Sequence, residues 1–191
     1  MKKEKKPYLV KIAEKISDDR DEQEIIQYGM HQGFLILCNI LILMISGLFW
    51  GEVPFVIFVF LGIFFLRPYA GGYHADTELR CCFLFAVIIN MVMFGKKLLV
   101  LSNRILIGLW VGMTVFIWIF APVENPIHCL EENERKKYAK NTKRILLCYV
   151  FAMALGVFMK QRHLMEAIVW INILIGTGMA AGLRKYGGAR R

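Results

Sequence analysis

Six apolar runs, at roughly residues 34–50, 53–66, 81–94, 105–121, 145–159 and 165–183, constrain the fold of this chain more than any other feature. Backbone in hydrocarbon must satisfy its polar groups internally, so runs of this kind read as transmembrane helices. The expected fold class is all-α: a polytopic membrane protein with about six spans. Several runs are shorter than the ~20 residues a perpendicular span needs. The second and third would then extend into the polar stretch between them, and four spans plus two interfacial or re-entrant segments is the rival architecture. The 57% hydrophobic content and mean hydropathy of +0.49 exceed what one soluble core uses, which makes 1–191 a single membrane-embedded domain.

The 24 Lys and Arg residues test this topology. With six crossings and both termini inside, only Lys96, Lys97, Arg104, Lys160 and Arg162 fall outside. The other 19 lie in the N-terminal segment 1–33, the stretch 67–80, the loop 122–144 and the basic tail 184–191. That bias follows the positive-inside rule and puts the 67–80 stretch and both termini on the cytoplasmic face. The net charge of +9 thus reads as topology, with anionic lipid and an acidic partner as its targets; no nucleic-acid motif is present.

No secretory signal is expected, since charge is scattered over the first thirty residues. Leu9, Ile12, Ala13 and Ile16 recur with helical spacing and predict an amphipathic helix, on the inner membrane surface or as a solvent-exposed cap. Five cysteines are an odd number, and Cys81, Cys82 and Cys129 fall in or beside cytoplasmic loops, so disulfides are not expected. Pairs with G-x-x-x-G spacing at Gly47/Gly51, Gly108/Gly112 and Gly178/Gly182 would let helices approach closely, within one subunit or in a homodimer. Ala121-Pro122 and Asn125-Pro126 should end the fourth span, and the charged loop 124–144 should form a solvated helical arm.

The chemistry concentrates between Arg67 and Cys82. A cysteine is a nucleophile as its thiolate, which a nearby histidine or positive charge favours. His74 and Cys81 are the candidates. On one straight helix they would stand about 10.5 Å apart along the axis, too far for proton transfer, so the chain between them must bend. Gly71 and Gly72 permit the bend, and Asp76 or Thr77 would cap a new helix carrying Cys81 in its early turns. Arg67 and Arg80 would favour the thiolate or hold a substrate oxygen. Spacing does not choose between Cys81 and Cys82. Plain surface histidine, apolar-filler cysteine and interface-anchor arginine are the blander readings. A zinc site from His74, Cys81, Cys82, His128 and Cys129 fits no familiar ligand spacing. His31, His163, Cys38 and Cys148 carry no assigned chemistry, and no metal or cofactor is called for.

The run Arg67-Pro68-Tyr69-Ala70-Gly71-Gly72-Tyr73-His74-Ala75, with Cys81 seven beyond the histidine, resembles the accessory gene regulator B family of bacterial membrane cysteine peptidases. The chain length, the multiple spans, Tyr28-Gly29 and Ala121-Pro122 are also similar. The resemblance implies Cys81 as nucleophile, His74 as base, and Cys82 as a neighbour. It implies a short amphipathic pro-peptide with an acidic tail as substrate, tail removal through a thioester, and cyclisation to a thiolactone or lactone quorum-sensing signal. His31 stands near where many members carry an acid. A peptide exporter or channel without covalent chemistry is the rival function, opposed by the scarcity of charge within the spans.

Overall fold

Each of the six apolar runs is helical over nearly all of its length, and helix also extends beyond them. The computed structural model describes residues 15–17, 19–73, 78–124 and 131–186, the side chains of Gln32, Glu78, Leu79 and Cys81 excepted. Six long helices follow in order: α1 (Arg20–Trp50), α2 (Val53–Ala70), α3 (Glu78–Leu98), α4 (Asn103–Phe120), α5 (Glu132–Phe158) and α6 (Arg162–Tyr186). No strand occurs among the described residues. All but α3 are long and apolar enough over described residues to cross a membrane. α2 and α3 do extend beyond their apolar runs, to Ala70 and back to Glu78, and the 21 residues of α3 span about 31 Å. Exposed residues such as Phe49 (79%), Phe151 (73%) and Phe158 (85%) need a bilayer as solvent.

The chain divides into two units, 1–42 and 43–191. In the first, most of the expected amphipathic helix lies outside the described residues; Lys15 and Ile16 are helical. The structure departs from the sequence reading just beyond them. α1 begins at Arg20, well before its apolar run, because Asp19 caps it: Asp19 Oδ1 accepts the Asp21 N–H (3.1 Å) and the Asp19 carbonyl accepts the Gln23 N–H (2.9 Å).

In the second unit α6 is the hub, packing on α4, α2 and α5. Met165, Ile168, Val169, Ile171, Ile175 and Met179 are buried along it. Small residues set its close approaches: a Cβ on Gly176 would stand 3.0 Å from Met113 Sδ. Asn172, fully buried, donates to Thr114 Oγ1 of α4 at 2.8 Å, and Tyr149 of α5 donates to the Gly62 carbonyl of α2 at 2.7 Å. α3 joins through Asn90, which accepts from Trp50 Nε1 (2.9 Å) and donates to Ser46 Oγ (3.0 Å) at the end of α1. The charged arm is helical from Glu132, where Glu131 and Glu134 form a capping box, and runs without a break into the α5 span.

The connections sort to two ends. At one, Lys96 pairs with Glu52 at 2.6 Å and Arg162 Nη2 donates to the Leu101 carbonyl at 2.8 Å, joining the loops after α1, α3 and α5. At the other, the chain after α2 meets the chain after α4 and the end of α6. This is the pattern of helices that alternate in direction.

Candidate active site

The loop-facing end of α2 shows why the polar stretch cannot continue as helix. Pro68 in the last turn has no N–H to donate. Gly71 then adopts φ +73° and Gly72 φ +129°, backbone that L side chains rarely take. The Gly71 N–H closes the helix on the Arg67 carbonyl at 3.0 Å, and the chain leaves as a short strap, Gly71–Tyr73.

Three other parts of the fold hold the strap. Val123, just past the end of α4, donates its N–H to the Ala70 carbonyl at 3.0 Å and forms a parallel bridge with Gly71. The Tyr73 N–H reaches the Gly178 carbonyl of α6 at 2.9 Å. Arg67 Nη2 folds back to the Tyr73 carbonyl at 2.7 Å, its guanidinium lying against Gly178. Lys185 near the end of α6 places Nζ 4.8 Å from the centroid of the Tyr73 ring. Both backbone groups of Tyr73, the residue before His74, are therefore engaged.

This packing requires glycine at three positions. A Cβ on Gly71 would run into the Val123 carbonyl, and one on Gly72 would stand 3.0 Å from the Gly178 carbonyl. From the other side, a Cβ on Gly182 would stand 2.9 Å from Gly72 C and 3.0 Å from Tyr73 N. The G-x-x-x-G pair Gly178/Gly182 thus receives a strap of chain where a second helix was expected. Gly47 packs on Val53 across the α1–α2 turn, in which Gly51 takes φ +69°. Gly108 and Gly112 have nothing within 4 Å of a Cβ placed there.

Arg67, Gly71 and Gly72 are thus brought together. Arg67 acts at least on the strap's own backbone, a role the sequence did not suggest. Arg80 is exposed and Cys82 half-buried in the first turns of α3. Cys81 stands in the first turn of that helix, four positions in, with its side chain outside the described residues. His74, Asp76, Thr77, His128 and Cys129 lie outside them altogether. Val123, Gly178, Gly182 and Lys185 are contributors that sequence reasoning missed. Only the Gly178/Gly182 spacing signalled them, and it was read as helix packing.

The sequence matches the family described as Accessory gene regulator B over residues 7–179. It is 28% identical over 162 residues to "Putative AgrB-like protein 2" of Clostridium perfringens (strain 13 / Type A), covering 78% of this chain and 75% of that one. It is 26% identical over 159 residues to "Putative AgrB-like protein" of Clostridium perfringens (strain SM101 / Type A), covering 78% and 73%. No solved structure matches the chain. With the family matched over nearly its whole length, this membrane protein belongs to the accessory gene regulator B family, a membership that supports a role in the agr quorum-sensing system.

Proposed function

We propose that the protein is a membrane-embedded cysteine endopeptidase that removes the C-terminal tail of a short amphipathic pro-peptide and promotes its cyclisation to a thiolactone or lactone signal. Family membership supports peptide processing as its activity. The observation that carries the finer reading is the strap. Backbone just before His74 is tied to α6 and to Arg67, and a new helix starts at Glu78 with Cys81 in its first turn. Such an arrangement breaks the straight-helix separation that would keep the pair apart, and a helix N-terminus favours a thiolate nearby.

In this mechanism the Cys81 thiolate attacks a peptide carbonyl, forming a C–S bond as the C–N bond breaks. The His74 imidazolium delivers its proton to the departing amine of the tail. A thiol or hydroxyl of the bound peptide then attacks the thioester, closes the ring, and returns the Cys81 thiolate with its own proton taken up by His74. Water must be kept from the thioester, and a site at the bilayer edge beside Tyr69 and Tyr73 serves that end. An amide is more stable than a thioester, so removal of the freed tail draws the reaction forward.

The segregation of loops to two ends, with the strap at the end where the basic residues collect, supports a site on the cytoplasmic face and attraction of an acidic tail to it. Vesicles containing the purified protein and a synthetic pro-peptide should yield the free C-terminal tail as one discrete fragment, detected by mass spectrometry. Passage of uncut peptide into the lumen without tail release would make the protein a transporter and end this reading.

A further inference from the structure

Apart from Tyr69 at one end, the groove between α2 and α5 is lined by residues with no role in the chemistry above. It encloses about 610 Å³, within the ~300–1,000 Å³ of small-ligand sites. Its walls are apolar, formed by Phe58, Leu61, Phe65, Cys148 and Ile171 among others, and several of these face outward where lipid would lie. Tyr149, bonded to the Gly62 carbonyl, lines it, and Tyr69, its ring 5.6 Å from that of Tyr138, lies at the other end.

Polarity in the lining gathers at Asn141 and Arg144. Neither side chain has a hydrogen-bond or ion-pair partner among the described residues. Arg144 is the last charged residue before the apolar run of α5, as Arg67 is the first after that of α2, so both mark the level where hydrocarbon gives way to headgroups. A cation without a partner among the described residues at that level, above an apolar groove open to the bilayer, complements one anionic headgroup and one chain. Basic pockets between spans are recurrent sites of this kind. A docked amphipathic helix would instead need anchor pockets repeated at helical spacing.

We propose that this groove is a specific site for an anionic phospholipid, one acyl chain lying along Phe58, Leu61 and Phe65, with the phosphate held by Arg144 and Asn141. The lipid would brace α2, whose end carries Arg67 and the strap. Binding is independent of the catalytic reading.

The test uses the full-length protein in phosphatidylcholine vesicles containing phosphatidylglycerol with a photoreactive group on one chain. Label should fall on the peptides holding Leu61 and Phe65 and on that holding Cys148. Unlabelled phosphatidylglycerol should compete about fivefold better than phosphatidylcholine, as expected for one basic contact. That preference should vanish in Arg144→Gln and persist in Lys140→Gln. Cys148→Trp, which fills the groove and leaves Arg144 in place, should exclude the label and guards against a folding defect in the Arg144 variant. Equal competition by the two lipids, or a preference unchanged in Arg144→Gln, would overturn the proposal. Displacement of the label by an acidic amphipathic peptide and not by phosphatidylglycerol would overturn it too, and assign the groove to peptide.

Discussion

Cys81→Ala is expected to lower tail removal by at least about a thousandfold, as loss of a covalent nucleophile does, while Cys82→Ala retains most of it. The two cysteines are adjacent on α3, and consecutive helical residues point about 100° apart, so only one of them can address a given partner. Cys82 is half-buried. Both substitutions remove a single sulfur from a helix in which alanine is well tolerated, so neither should impair insertion into the membrane. Release of the tail, followed by mass spectrometry at equal amounts of membrane-inserted protein, decides the matter. A dead Cys82 variant beside an active Cys81 variant would transfer the nucleophile by one residue.

The second large effect is expected at glycines that themselves transfer no proton. Gly71→Ala meets both a positive-φ, extended-ψ backbone that is essentially glycine-only, costing about 1–3 kcal/mol, and the Val123 carbonyl. Gly182→Ala pushes on Gly72 and Tyr73 from the α6 side without altering the strap's own sequence. Each should shift the strap by a fraction of an ångström to an ångström, and such misplacement lowers turnover by about a hundredfold. The loss should appear in kcat with KM nearly unchanged, since the defect lies in alignment. Gly108→Ala and Gly112→Ala, where a Cβ meets nothing, should behave as the unsubstituted protein. Equal losses at all four positions would mean that general damage to the bundle, and not the strap, is being measured.

These contrasts show what was legible in the sequence. Hydrocarbon enforces backbone pairing, so the apolar runs specified helices, their number and the alternation of their loops. Their ends were less legible. Side-chain caps at Asp19 and Glu131 carry α1 and α5 far into charged sequence, and hydropathy does not register a cap. The break after Ala70 was readable because Gly-Gly after a proline has few other uses. What the strap rests on was not, since Val123 and Gly178 lie 52 and 107 positions beyond Gly71 and act through backbone groups that every residue possesses. The G-x-x-x-G spacing of Gly178 and Gly182 correctly signalled close approach to α6; what approaches is decided by tertiary packing. The choice of Cys81 over Cys82 rested on resemblance to a family.

The most direct test of the central claim is to catch the thioester. A pro-peptide whose ring-closing Cys or Ser is replaced by Ala can be cut but cannot cyclise, so acid quenching should reveal protein heavier by the mass of the peptide without its tail. Digestion should place that adduct on the peptide containing Cys81, and neutral hydroxylamine should remove it. Tail release with no adduct at Cys81, or an adduct mapped to Cys82, would contradict the account.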